Sequence, residues 1–300
     1  MPSLASPARL AALATALAAA IACGSHTPTG AITPVGVPPL TALPLGDGHV
    51  STAPRVGYVF SCQTTFGGGG ATGAAPWISG SSWNLEAKPS VQGAVSWPNA
   101  RLAITRQGAE RVVSANDLPL HTTGVFPIAR TDPAYQYDAN PNAIAEQTVL
   151  LRLAADPVAA VAPVCVPQGM IGFTTSGAAL FNALDGGGRD AAAHEVQDHC
   201  SGHPERIGQY HYHSWSSCFV DAAGDAGRHS DLVGYALDGY GIYGLKGESG
   251  ATLTDADLDA CHGHTHAISW DGQTVSLYHY HMTREYPYSV GCFHGTPAAR

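Results

Sequence analysis

Tyr210-His211-Tyr212-His213 occurs a second time in this chain, as Tyr278-His279-Tyr280-His281. Alternating aromatic side chains favour extended backbone, and Gly208 marks a turn just before the first copy. In a strand, successive side chains point to opposite faces. Each copy therefore reads as a strand with two imidazoles on one face and two phenols on the other. The two His Cα atoms of such a strand lie about 6.5–7 Å apart, close enough for both rings to reach one metal ion.

Working outward, other landmarks repeat in the same order. Gly172-Phe173-Thr174-Thr175-Ser176-Gly177-Ala178-Ala179-Leu180-Phe181 is answered by Gly234-Tyr235-Ala236-Leu237-Asp238-Gly239-Tyr240-Gly241-Ile242-Tyr243. Asp198-His199-Cys200-Ser201-Gly202-His203 is answered by Asp259-Ala260-Cys261-His262-Gly263-His264, and Cys218-Phe219 by Cys292-Phe293. These correspondences define a duplicated module, residues 171–300, with units 171–219 and 233–293. If the units fold alike, Cys200 pairs with Cys218 and Cys261 with Cys292, which leaves Cys62 for Cys165. Such pairing belongs in an oxidising compartment.

The chain holds 35 Gly and 21 Pro but only 12% charged residues, a composition for a loop-rich β or α+β domain rather than a helical bundle. The expected fold class is mainly β: an internally duplicated, disulfide-stapled module with two pseudo-symmetric units. Before it, residues 56–170 read as a β-rich part, with strand-like runs at 56–60, 94–97, 101–105, 111–114, 124–128 and 148–153. Helix signals are confined to 182–199 and to 254–260, where Thr254 and Asp257 have capping spacing. Residues 23–55, rich in Pro, Thr and Gly, read as a tether. Residues 1–22 read as a signal peptide: Arg9 precedes an apolar run too short to span a bilayer. The run ends Ala20-Ile21-Ala22-Cys23-Gly24, which resembles a lipoprotein processing box, although Ala20 stands where Leu is usual. This implies an exported chain, periplasmic, extracellular or held on a membrane by a lipid at Cys23. A net charge of −9 gives no electrostatic reason to bind nucleic acid.

The chain has fifteen His, twelve of them between His194 and His294. Two His-x-His strands at equivalent repeat positions, with His203 and His264 also matched, point to a transition metal, copper or zinc first. The candidate ligands are His211, His213, His279, His281, His203 and His264. Two-fold symmetry is expected to bring the two strand pairs onto one shared site. Asp238, in an apolar turn where the first unit has Ser176, is a candidate ligand, an orienter of a ligand, or a cap of its own turn. Asp198 and Asp259 read first as turn formers. His262 and His266 rank below the matched residues, and His194, His199 and His229 read as surface or locally hydrogen-bonded. No nucleotide or organic cofactor motif is present, and no residue pattern identifies a catalytic group. Two rival readings stand beside metal binding: a metal-dependent hydrolase or oxidase using the same site, and a structural or adhesive surface module without metal.

Tyr137-Asp138-Ala139-Asn140-Pro141-Asn142, the Asp198/Cys200/Gly202-His203-Pro204 cluster, Gly234-Tyr235-Ala236-Leu237-Asp238-Gly239 and the two Tyr-His-Tyr-His segments together resemble the YHYH domain family, over about residues 116–296. The resemblance implies a secreted or surface protein and carries no specific reaction with it.

Overall fold

A computed structural model describes residues 36–299. The segment read as a signal peptide, residues 1–22, and Cys23 lie outside the described residues. In the N-terminal part, β1 (Leu43–Pro44), β2 (Val50–Ser51), β3 (Val59–Phe60), β4 (Ile78–Ser79) and β5 (Ser82–Trp83) are short pieces. They are followed by β6 (Leu102–Gln107), β7 (Glu110–Ala115), β8 (Val149–Ala154) and β9 (Ala159–Val164). Strands β6, β7 and β8 form an antiparallel sheet in that order. In β8 the alternation is plain: Val149, Leu151 and Leu153 are buried, while Leu150, Arg152 and Ala154 face out. Arg111 of β7 is 3% exposed and lies over the rings of Tyr235 and Trp270 at 4.5 and 4.8 Å, with Asp271 as its ion-pair partner.

The expected strands at 94–97 and 124–128 reduce to one bridge, Val95 to Thr123. Pro98 and Pro127 lack the N–H a longer ladder would need. The helix expected over 182–199 is one turn, α1 (Ala191–His194), whose start Asp190 caps through Ala193 N–H. Gly186, Gly187 and Gly188 disfavour helix before it. A second short helix, α2 (Ala222–Asp225), begins in the same way at Asp221. The expected cap at Thr254 is present, its N–H donating to Asp257 Oδ2 at 2.8 Å over a 3-10 turn.

The tether reading fails for residues 36–55. Leu43 is 1% exposed and pairs with Trp83, and Gly46 N–H donates to the buried Asp190 carboxylate at 2.9 Å. Apolar spacing there is too sparse to show a period, yet a few side chains reach the core of the module.

Residues 170–281 form an eight-stranded sheet from β10 (Met170–Thr174), β11 (Ala179–Phe181), β12 (Gly202–Pro204), β13 (Tyr210–Tyr212), β14 (Leu232–Ala236), β15 (Gly241–Tyr243), β16 (Gly263–Trp270) and β17 (Gln273–His281). A last strand, β18 (Phe293–Gly295), pairs with β9. The order is β12-β13-β11-β10-β14-β15-β17-β16, and its pairing scheme reads alike from both ends. Each half has an antiparallel hairpin (β10–β11, β14–β15), a parallel neighbour (β13, β17) and an antiparallel outer strand (β12, β16). The halves meet at β10 and β14, with Gly172 opposite Ala236 and Thr174 opposite Gly234. A Cβ on Gly172 would lie 2.7 Å from Tyr235 O, and one on Gly234 would lie 2.8 Å from Phe173 O. The reciprocal close approach admits only glycine at both positions.

Three disulfides link Cys62 to Cys165, Cys200 to Cys218 and Cys261 to Cys292, the pairing expected from the repeat. Closing loops of these lengths stabilises by roughly 3–5 kcal/mol each in the chain-entropy model. No helix among the described residues is long and apolar enough to cross a membrane.

Candidate metal centres

On both Tyr-His-Tyr-His strands the tyrosines point into the core, where each hydroxyl meets an oxygen supplied by a turn. Tyr210 donates to Asp198 at 3.0 Å and Tyr278 to Asp259 at 2.9 Å. The same two carboxylates accept Cys and Gly backbone N–H groups: Cys200 and Gly202 for Asp198, Cys261 and Gly263 for Asp259. Their turn-forming reading thus describes them well. Tyr212 meets Ser176 Oγ at 2.8 Å, and Tyr280 donates to Asp238 Oδ2 at 2.6 Å.

Asp238 therefore serves the tyrosine face. Its oxygens also accept Gly295 N–H at 2.9 Å and Tyr240 N–H at 3.3 Å, and burial raises its pKa. Of the roles open to it in the sequence, bracing its own turn and the Tyr280 strand is the one its contacts describe; it does not join the imidazoles. Removing a carboxylate that is 2% exposed leaves several buried donors unpaired. Asp238→Ala should cost about 3 kcal/mol in urea unfolding, against about 1 kcal/mol for Ser176→Ala.

The histidines point to the other face. Each Nδ1 lies against a main-chain carbonyl oxygen, and the partners correspond between halves. His211 meets Gln209 O at 3.0 Å and His279 meets Leu277 O at 2.9 Å. His213 meets Asn182 O at 2.6 Å and His281 meets Gly244 O at 2.7 Å. A carbonyl only accepts, so Nδ1 carries the proton in all four rings and each Nε2 presents a lone pair. A neutral Nε2 held this way is the form in which imidazole ligates metal.

These lone pairs gather in two places. In the first centre, His211 Nε2 and His213 Nε2 are 3.0 Å apart, with no proton to share between them. Two nitrogens each about 2.0–2.1 Å from one ion stand roughly 3–3.4 Å apart. His203, across from His211 on β12, completes a group of three buried imidazoles, and neither of its ring nitrogens has a hydrogen-bond partner. Glu195 Oε2 lies 3.5 Å from both His203 Nε2 and His213 Nε2 and has no hydrogen bond either. Burial pushes the Glu195 carboxyl up to about 8 and holds His213 down at about 4. It holds His203 and His211 well below the usual imidazole range, aided by their neighbouring rings. A cavity of about 540 Å³ opens on this centre.

In the second centre, His229, His266, His279 and His281 each offer a ring nitrogen, all within 4.8 Å of one another. The Nε2 atoms of all four are buried and unpartnered. His266 Nδ1 meets Ala267 O at 3.1 Å and His229 Nδ1 meets Ser230 O at 2.8 Å, so these rings too keep the Nε2 lone pair. His264 packs against this group, its ring 4.6–5.0 Å from those of His266, His279 and His281. Burial lowers His279 to about 3 and His264 to about 4.

The single shared site expected from symmetry does not form. Strands β13 and β17 are the second and seventh in the sheet order, five strand spacings apart. At about 4.8 Å per spacing that is roughly 24 Å. The reading of His229 as surface or locally hydrogen-bonded meets its bond to Ser230 O but not its place in the cluster. In the sequence His266 ranks below the matched residues, and Glu195 has no role there. His266 had a legible signal, the His264-x-His266 alternation on a strand beside β17. His229 and Glu195 arrive from irregular segments and had none. His194, expected at the surface or in a local hydrogen bond, instead meets the sequence-distant Asp47 at 2.8 Å, and His262 binds Thr283 Oγ1 at 3.0 Å, outside both centres.

Neither a curated protein nor a solved structure matches the chain. The family model described as YHYH protein matches residues 151–256, from β8 through the first centre to the 3-10 turn before β16. That span is shorter than the resemblance read from motifs, and it stops before Tyr278. Over residues 151–256 the chain is thus similar to the YHYH family, the likeness its motifs also carry.

Proposed function

We propose that this is an exported protein that binds two transition-metal ions, one in each His centre. The supporting observation is the set of buried Nε2 lone pairs whose protons are committed to main-chain carbonyls on Nδ1. A buried polar atom without a partner costs about 1–3 kcal/mol, and several in one cluster accumulate that cost. A metal ion answers all of them together. All six cysteines among the described residues are in disulfides, so the donors are imidazoles, which suit copper and zinc.

Single substitutions separate the centres. His213→Ala and His281→Ala should each reduce bound zinc from two ions per chain to one, and the double variant should bind none, read by metal analysis after gel filtration. Full stoichiometry in both single variants would overturn the assignment. Three disulfides are compatible with export. Lipid attachment at Cys23 belongs to the same proposal; the mass of the mature N-terminal peptide tests it, and an unmodified start elsewhere removes the anchor.

A further inference from the structure

The two centres differ in what their surroundings leave for a ligand. The second has four imidazole nitrogens of its own, with the His264 ring packed against them. Four protein ligands saturate a tetrahedral ion, the pattern of a site that only holds its metal. The first has three imidazoles, and its fourth neighbour, Glu195, stands 3.5 Å from two of them. Three protein nitrogens with a free position is the pattern of a site where water or a ligand exchanges.

The free position has somewhere to lead. The cavity of about 540 Å³ is lined by His203, His211 and His213, and its wall also includes Phe181, Asn140 and Arg206. Phe181 stacks on His211 at 3.9 Å and so fixes the ring from one side. The acidic groups around the cavity are largely occupied within the wall. Asp185 is ion-paired to Arg189 at 2.6 Å, Asp138 accepts Val196 N–H, and Glu205 accepts the N–H groups of Ile207 and Gln209. Arg206, by contrast, is exposed and has neither an ion pair nor a hydrogen bond among the described residues. A bound divalent ion and a free guanidinium on the same cavity both attract an oxyanion or another small anion.

We infer that the first centre keeps one metal coordination position open to the cavity and takes a small anionic ligand there, steered by Arg206, while the second centre is closed. This rests on the two-metal reading and adds a division of labour to it.

The test uses the full mature protein loaded with cobalt(II), its metal content measured first, and azide as the probe. Azide should change the visible absorption of one of the two cobalt ions. The change should survive His281→Ala, which empties the second centre, and vanish in His213→Ala, which empties the first. Arg206→Gln should weaken azide binding at least threefold while leaving cobalt content at two. Two bound cobalt ions that both ignore azide would overturn the inference and leave the metal reading intact. So would a response that tracks His281 instead of His213, or one from both ions. A chain that takes up no cobalt overturns both readings. Because azide is counted against cobalt in the wild-type chain, the result stands even if a His variant folds poorly.

Discussion

Chelating the metal from the wild-type protein should lower its thermal midpoint sharply, by about 4 kcal/mol of stability per centre when free metal had stood ~1,000-fold above Kd. The reason lies in the empty state. Without an ion, the His211 and His213 lone pairs face each other at 3.0 Å, and the buried Nε2 atoms of the second centre have nothing to bind. In a domain of this size each kcal/mol moves the midpoint by about 2–4 °C, so the combined loss should exceed 10 °C. Restoring zinc should restore the midpoint. A midpoint unchanged by chelation and by added zinc or copper would mean that the imidazoles are stable as a packed cluster, and the structural-module reading would replace the present one.

Acid should destabilise the metal-free protein over a defined window. Burial holds His213 at about 4 and His279 at about 3, and His203, His211 and His281 also lie well below the ordinary value of 6.5. Above pH 6.5 both folded and unfolded chains carry these rings neutral, so the stability they permit is fully present. As pH falls below 6.5 the unfolded chain takes up protons that the folded one refuses, and stability drops until the folded rings protonate near pH 3–4. Each ring contributes roughly 1.4 kcal/mol per pH unit in that window, or about 2 kcal/mol by pH 5. Two or three such rings approach the whole stability of an ordinary domain. Urea midpoints should therefore be flat from pH 8 to 7 and fall steeply between 6 and 5. Bound metal moves the loss to lower pH, because each proton must then displace an ion. A midpoint that stays level from pH 7 to pH 5 in the metal-free protein would show that these rings are not buried as described.

The repeat made much of this legible in advance. Alternation in Tyr-His-Tyr-His fixed which side chains share a face, and equivalence of Cys200 with Cys261 gave the disulfide pairing that the structure shows. The placement of the two centres was not legible, because it depends on which strands meet in the middle. That is settled at β10 and β14, where Gly172 and Gly234 allow backbones to approach; the His strands are thereby pushed outward, one on each side. Nothing in the His segments themselves carries that information. Glu195 and His229 were missed for a related reason. They enter from turns whose path follows from caps and long-range contacts such as Asp190 with Gly46, and no periodic pattern records such contacts. The resemblance to the YHYH family agrees with the family-model match over residues 151–256 but, having no reaction attached, adds nothing on the ligand.

Metal analysis of the purified wild-type protein, prepared without a polyhistidine tag and equilibrated with a slight excess of zinc or copper, bears most directly on the central claim. After removal of unbound ions by gel filtration, two ions per chain should remain at pH 7.5. A protein that retains none at neutral pH, while folded by near-ultraviolet circular dichroism, would contradict the claim that the two histidine clusters are metal centres.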